Sequence, residues 1–270
     1  MTDTTVVIAC FNYADYLEEA VESVLAQDPE PHVIVVDDGS TNPNTSEVLG
    51  RLSDHVDVIR QENRGVSTAR NEGLERATTP FLFVLDADDR LPPGALTALR
   101  TELDRDPAAG FAYGFTRFFG DWEGILRFPP YDPYRLLYRH IIGLSALMRR
   151  EVVESTGGFD PSFDQYADWE FWLNALAHGW RGVQVQAVTL DYRRHETAMS
   201  VENRRKYRDD FARIRRKHGE LYENRAALAR ESDLGPVGRA AYRGFWGLRP
   251  IPAAVERKLH ALRWRPSNRE

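Results

Sequence analysis

The chain of 270 residues is short of several things, and each shortage narrows what it can be. It has a single cysteine, Cys10, so an intramolecular disulfide is excluded, which suits a reducing compartment. It has no apolar run long enough to span a bilayer, and Met1-Thr2-Asp3-Thr4-Thr5 lacks the pattern of a secretory signal. The expected location is therefore cytoplasmic, free or peripheral at the inner face of the membrane. There is no internal repeat, no Gly-rich basic phosphate loop at Ala9–Tyr13, and no Ser/His or Cys/His nucleophile arrangement. Positive charge is also short. The formal net charge of −6 argues against general nucleic-acid binding. That balance is uneven, because residues 201–270 hold 18 Lys and Arg against 9 Asp and Glu, about +9, leaving about −15 for the first 200. What is present in quantity is apolar residue, 42%, enough for a sizeable core in one large domain or a domain with an appendage.

Taken in order, Thr5–Cys10 reads as a strand, Phe11–Asp15 as a loop, and Tyr16–Gln27 as a helix with Leu17, Ala20, Val21, Val24 and Leu25 on one stripe. Asp28-Pro29-Glu30-Pro31 stops that helix. His32–Val36 is a second buried strand ending in Asp37-Asp38-Gly39-Ser40, followed by a helix around Thr45–Leu52 and a third strand at Val56–Arg60. Gly65–Arg76 is a third helix, and Phe81–Leu85 a fourth strand. Such β-α alternation predicts a parallel sheet with right-handed crossovers.

The fourth strand is the most informative stretch. Its apolar run has no polar alternation, as a strand buried on both faces requires, and it ends in Asp86, Asp88 and Asp89. Open α/β sheets bind ligands at this carboxyl edge. In an extended chain Asp86 and Asp88 fall on one side, and two carboxylates so close favour a hard cation between them, Mg2+ or Mn2+. The plain alternatives are a solvated turn, and a capping role for Asp89 ahead of the helix that follows Pro92-Pro93. Asp37-Asp38 forms a second acidic strand end, expected on a neighbouring strand facing the same crevice, unless Asp38-Gly39-Ser40 is simply a turn.

Several motifs then occur in a telling order: Val7-Ile8-Ala9-Cys10-Phe11-Asn12, Val35-Val36-Asp37-Asp38-Gly39-Ser40, Glu62-Asn63-Arg64-Gly65-Val66-Ser67-Thr68-Ala69-Arg70-Asn71 and Leu85-Asp86-Ala87-Asp88-Asp89. Gly157-Gly158-Phe159-Asp160, Asp168-Trp169-Glu170-Phe171-Trp172 and Tyr192-Arg193-Arg194-His195 continue the series. Over roughly residues 4–200 the chain resembles the inverting family 2 glycosyltransferases with the GT-A fold. The resemblance implies an α/β fold with a Rossmann-like, mostly parallel central sheet flanked by helices. It also implies transfer of a sugar from a nucleotide-sugar donor, usually a UDP-sugar, to an acceptor hydroxyl with a divalent cation. The implied division is residues 1–200 as the GT-A domain, with 1–106 the nucleotide-binding half and 107–200 the acceptor-binding half. Residues 201–270 form a basic helical C-terminal extension.

Position by position, Ala9, Phe11, Asn12 and Asp38 resemble the nucleoside pocket, with Phe11 against the base and Asp38 accepting from its N–H. Ala9 stands where many members carry Thr or Pro. Arg70 resembles a residue that holds the pocket or the diphosphate, and otherwise reads as a structural ion pair. Asp86 and Asp88 resemble the DxD acids, Asp88 as direct metal ligand and Asp86 as partner of the ribose or of a metal-bound water. Asp168 resembles the catalytic base, and otherwise reads as a helix cap; Glu170, two residues along the helix, should point elsewhere. His195 resembles a residue that completes the metal shell in some members, and Arg193 or Arg194 is placed to neutralise the diphosphate.

The aromatic segment through Pro133, with Trp122, Phe128, Tyr131 and Tyr134, reads either as the wall of an acceptor site or as ordinary packing. The acceptor itself is expected to be a saccharide or a lipid-linked saccharide. Val201 to about Arg230 reads as one long charged helical stretch. Leu234–Trp264 mixes Arg with Tyr242, Phe245, Trp246, Leu248, Ile251, Leu259 and Trp264, as an interfacial helix would. It reads equally as a tail folded onto the acidic body or onto a second subunit, as in a homodimer. Two other functions compete: a non-catalytic sugar-nucleotide-binding module, and a haloacid-dehalogenase-like phosphatase with Asp86 as nucleophile. The latter motif normally opens its domain, whereas three strands precede it here.

Overall fold

The structure, a computed structural model, describes residues 2–163, 165–195 and 207–248. Strands β1 (Thr4–Cys10), β2 (His32–Asp37), β3 (Asp57–Arg60) and β4 (Phe81–Asp86) are parallel and lie in the order β3-β2-β1-β4. Helices α1 (Ala14–Leu25), α2 (Pro43–Leu52) and α3 (Val66–Arg76) connect them, as the alternation predicts. Side chains alternate across the pleat, so each strand feeds two cores. Val6, Ile8, Val33, Val35, Phe83 and Leu85 pack with Leu17, Val21 and Val24 of α1 and Leu49 of α2. Val7, Ala9, Ile34, Val36, Leu82 and Val84 pack with Ala69 and Leu74 of α3 on the other face.

Beyond α4 (Ala95–Arg105) the sheet becomes mixed. Strand β5 (Phe111–Gly120) pairs antiparallel with β6 (Gly124–Leu126) and with β7 (Leu147–Arg149), and β7 in turn joins β4. A short helix α5 (Pro133–Leu136) and α6 (Arg150–Thr156) flank β7 in sequence. The buried helix α7 (Ala167–Ala177) precedes β8 (Gly182–Arg194), which runs parallel to β5. This is the expected α/β, GT-A arrangement.

Two expectations change. The acidic ends of β2 and β4 are not on neighbouring strands, because β1 lies between them; the two ends flank it instead. The long helix expected from Val201 is divided among α8 (Tyr207–Lys217), α9 (Gly219–Glu223) and α10 (Arg225–Glu231), with residues 201–206 outside the described region. The break falls at His218, whose side chain turns inward to hydrogen-bond buried Glu170 at 2.9 Å. Phe211, Ile214, Tyr222 and Leu228 join the same core as Trp169 and Phe171, so these helices pack against α7 and its neighbours. Helix α11 (Pro236–Leu248) lays Tyr242 and Trp246 against that core, with the Arg139 guanidinium 4.3 Å from the Trp246 ring centre. Of the tail's three readings, interfacial, folded onto the body or folded onto a second subunit, folding onto the body describes the packing of α8 to α11. Ile251, Leu259 and Trp264 lie outside the described residues. Among the described residues no helix is long and apolar enough to cross a membrane.

Candidate functional site

The acids cluster through a turn rather than through extended chain. β4 ends at Asp86, and the Asp89 N–H donates to the Asp86 carbonyl at 3.1 Å, so Asp89 is drawn in beside the other two. Oxygens of Asp86, Asp88 and Asp89 all lie within 4.8 Å of one another. Asp89 does not cap α4, whose N-cap is Gly94 in the left-handed region; its Oδ1 accepts the Arg193 N–H at 2.9 Å. Burial, then the charges of Asp88 and Asp86, push Asp89 well above the usual carboxylate range. Burial and Asp86 also raise Asp88, although His195 pulls the other way. Crowded carboxylates in a partly dry site repel one another, and a hard divalent cation would relieve that repulsion.

Strand β8 delivers the residues that face this turn. Arg90 and Asp191 exchange backbone hydrogen bonds at 3.0 and 2.9 Å, which fixes the register. Two residues on, Arg193 meets Asp89; two further, His195 Nε2 lies 2.9 Å from Asp88 Oδ2. Arg193 is held away from the cleft, since its guanidinium reaches the Asp88 carbonyl and the Glu19 carboxylate. Glu19 also pairs with Arg90 at 2.5 Å. Arg194, by contrast, faces a cavity.

Two cavities meet at the acids. The first, about 460 Å³, is bounded by Ala9, Phe11, Tyr13, Asp38, Asp86 and Asp88. Phe11 stands 41% exposed at its edge, which is unusual for so large an apolar ring in this chain. Asp38 is buried and held by three protein donors: Gln61 Nε2 at 2.6 Å, Arg64 N at 2.9 Å and Gly65 N at 2.8 Å. A carboxylate has about four lone-pair positions, so one remains for a ligand. Gly39 makes this cradle possible. Its φ is +75°, and a Cβ there would meet Asn63 N at 2.7 Å. Asn12 does not line the cavity; its side-chain oxygen accepts the N–H groups of Thr41 and Asn42 at 2.9 and 2.8 Å and clamps the loop after β2. Burial, with Asp88 and Asp86 nearby, pushes the Tyr13 hydroxyl up to about 12.

The second cavity, about 410 Å³, is bounded by Asp168, His140, Phe128, Arg194 and Arg70, and shares Asp86, Val66 and Tyr192 with the first. Arg70, nearly buried, donates to Asp86 Oδ1 at 2.6 Å and sits 5.5 Å from the Phe159 ring centre, so the ion-pair reading describes its contacts. Asp168 is the second residue of α7 and does not cap it in the usual sense; its Oδ1 accepts the next N–H, that of Trp169, at 2.8 Å. Its Oδ2 lies 3.0 Å from His140 Nε2. Burial works to raise the Asp168 pKa, but His140 beside it, with the Trp169 N–H and the charge of Arg70, holds it below the ordinary value. Glu170 points away as expected, fully buried against His218 and Lys217.

Of the four aromatics expected to wall an acceptor site, Phe128 alone lines this cavity. Tyr134 is buried in the core, Tyr131 packs against that core, and Trp122 lies exposed on Phe118 at 4.9 Å between ring centres. His140 and Tyr13 carry no signal of their own in the sequence; Asp89 reads there as a cap or a turn acid, and Tyr192 only as part of a motif. His140 reaches Asp168 because the indole N–H groups of Trp169 and Trp172 bond the carbonyls of Leu136 and Gly143, pinning the loop that carries it. The phosphatase reading finds no support, since Asp86 closes an interior strand and is bonded to Arg70.

Residues 5–157 match the family described as Glycosyl transferase family 2. The chain is 30% identical over 202 residues to the succinoglycan biosynthesis protein ExoU of Rhizobium meliloti (strain 1021), covering 67% of this chain and 58% of that protein. It is 32% identical over 117 residues to the poly-beta-1,6-N-acetyl-D-glucosamine synthase of Staphylococcus aureus (strain MSSA476), covering 42% of this chain and 28% of the synthase. It thus spans little more than half of the first relative and about a quarter of the second. Among solved structures, S. aureus TarS 1–349 in complex with UDP-GlcNAc aligns with a TM-score of 0.68 at 18% identity, over 91% of this chain and 73% of that one. The mannosyltransferase PcManGT from Pyrobaculum calidifontis, in complex with GDP-Man and Mn2+, aligns with a TM-score of 0.58 at 21% identity, over 96% and 80%. At these identities the structural likeness speaks for the fold.

Proposed function

The chain belongs to glycosyl transferase family 2, and from that premise we propose that it moves a sugar from a nucleotide-sugar donor to an acceptor hydroxyl with inversion at the anomeric carbon. The observation that carries this reading is the meeting of two cavities at Asp86, one edged by Asp88, which His195 backs, the other by Asp168 and His140. The nucleoside occupies the first cavity, with Phe11 against the base and Asp38 accepting from its N–H. A UDP donor is favoured by the UDP-GlcNAc complex of the TarS structure, which shares the fold. The acceptor occupies the second cavity, and a saccharide or lipid-linked saccharide fits the polysaccharide named in the ExoU relative. On this reading residues 1–106 form most of the donor side and 107–200 most of the acceptor side.

In the reaction, Asp168 takes the acceptor hydroxyl proton while that oxygen bonds to the anomeric carbon. The bond from that carbon to the diphosphate oxygen breaks, and the nucleoside diphosphate leaves with the electron pair. An acid already ionised near neutral pH, as its lowered pKa implies, is free to accept that proton. The donor set of Asp86, Asp88, Asp89 and His195 fits Mn2+ or Mg2+, hard oxygen ligands with one imidazole. Such an ion, when bound, supplies positive charge to the leaving diphosphate. Arg70 orients Asp86 and adds fixed positive charge between the cavities.

Calorimetry with UDP, with and without Mn2+, on wild type and Asp88→Ala tests the donor site. Binding that needs both the ion and Asp88 supports it; no binding of UDP, GDP or dTDP under any condition overturns it. Asp168→Asn should retain donor binding and lose transfer, and full transfer by that variant would remove Asp168 as the base.

A further inference from the structure

On the far side of the loop that carries His140, a second kind of cavity opens between α8–α10 and α11. It holds about 400 Å³ and is lined by Arg215, Arg225 and Arg243 around Tyr138 and Tyr222, with Gly244 at its edge. Among the described residues no carboxylate lines it. We propose that this cavity is a binding site for a phosphate group, carried by a lipid headgroup or by a soluble phosphate ester.

The contrast with neighbouring arginines supports the proposal. On the same helices and the loops they touch, Arg213 pairs with Asp210, Arg181 with Glu231, and Arg135 with Asp132 and Asp233. Among the described residues, none of the three cavity arginines pairs with a carboxylate. Three guanidiniums gathered around one opening repel one another, and an anion between them removes that repulsion. Guanidinium forks also match phosphate oxygens in geometry, and several can share one phosphate.

The floor of the cavity agrees with this. Arg215 lies 5.2 Å from the Tyr222 ring centre, and Arg225 donates to the Tyr222 carbonyl at 2.8 Å, so two of the cations are held in place before any ligand arrives. Arg243 and Arg225 both act to favour negative charge at the Tyr138 hydroxyl, although burial keeps that hydroxyl near 12. A side chain at Gly244 would project into open space at the edge of the cavity. Glycine is less favourable than alanine inside a helix, and here it leaves the opening clear. Tyr138 immediately precedes Arg139 and His140, which line the cavity of Asp168, so an occupant would sit one residue behind that wall.

The test uses the full chain and two probes. In the first arm, thermal midpoints are followed against inorganic phosphate at ionic strength matched with chloride. Wild type should be stabilised by phosphate, and the Arg225→Gln/Arg243→Gln variant should need about tenfold more or beyond for the same shift, as loss of a charge-assisted hydrogen bond implies. Arg243→Gln alone, which removes no ion pair among the described residues, should weaken the response while keeping the unliganded midpoint. Phosphate bound in the acid-lined cleft would be untouched by these substitutions, so the difference isolates this cavity. In the second arm, co-sedimentation with phosphatidylglycerol and phosphatidylcholine vesicles separates the sources. Binding to the former that falls in both variants assigns the phosphate to a lipid headgroup. A variant-sensitive phosphate response without variant-sensitive vesicle binding assigns it to a soluble ester. Equal responses of wild type and both variants to phosphate and to vesicles overturn the proposal. Sugar transfer is not read in either arm, so that outcome leaves the reaction proposed above standing.

Discussion

Asp168 Oδ2 lies 3.0 Å from His140 Nε2, on the wall of the cavity that Asp86 also lines. If Asp168 is the base, His140 positions it and keeps it ionised. Asp168→Asn should lower kcat about 10²–10⁴-fold, the usual range for a general base. His140→Gln should cost less, about tenfold, through lost orientation. The pH profile separates the roles. His140 depresses the Asp168 pKa against the effect of burial, so its removal lets that pKa rise. Activity needs the ionised acid, so the acidic limb of kcat/KM should move to higher pH in His140→Gln. An unmoved limb with reduced kcat would leave His140 as packing only.

What could be read from the sequence followed from patterns that are local. The Phe81–Leu85 run and its terminal acids announce a buried strand and a polar edge without knowledge of any partner. His140 carries no such signal. It sits in a loop without periodicity, and its place depends on two indole hydrogen bonds from α7, residues far along the chain. Asp89 was misleading for the opposite reason. Pro92-Pro93 suggested a cap, but the turn after Asp86 folds its side chain toward Arg193, and a left-handed Gly94 begins the helix. β7 has three residues and joins β4 to β5 antiparallel, too short a run to show a pattern. The break at His218 combines a local signal, Gly219, with a tertiary partner, Glu170, that no local pattern shows.

Gly39 tests the donor cradle from the backbone. Its positive φ and the 2.7 Å approach to Asn63 N leave no room for a Cβ. Gly39→Ala should cost about 1–3 kcal/mol of stability from strain and displacement of the 61–65 loop. Because that loop supplies the donors to Asp38, UDP affinity should fall as well. Chemical denaturation and calorimetry on the same preparation read both effects. Unchanged UDP affinity would separate the cradle from nucleotide binding.

Asp160 and Lys217 tie the loop before α7 to α8, 2.6 Å apart. Burial works to raise the Asp160 pKa, but Lys217 and the Ser162 N–H lower it from 3.8 to about 2. A carboxyl depressed on folding contributes stability above its unfolded pKa, and loses it as pH falls through the folded one. The contribution should therefore be complete above about pH 5 and fade between pH 4 and 2. After solvent screening it should amount to about 1 kcal/mol. Urea midpoints across this range should fall more steeply for wild type than for Lys217→Gln. Parallel curves would show that the pair contributes nothing.

Phe128 separates an acceptor wall from ordinary packing. It lines the Asp168 cavity, whereas Trp122 only backs Phe118 and Tyr134 belongs to the core. A sugar ring resting on Phe128 would lose a contact of about 0.5–1.5 kcal/mol in Phe128→Ala, a rise in acceptor KM of about 2–10-fold. Donor affinity should not change, because Phe128 does not reach the Asp38 cavity. Trp122→Ala should have the smaller effect on acceptor KM, and Tyr134→Ala should act through stability, by about 3–5 kcal/mol if it behaves as a buried aromatic. Kinetics with acceptor varied at saturating donor, set beside melting curves, distinguish the three. If Phe128→Ala changed stability and left acceptor KM alone, this ring would be core, and the acceptor would have to lie along another wall of the cavity, nearer Arg194 and Tyr192.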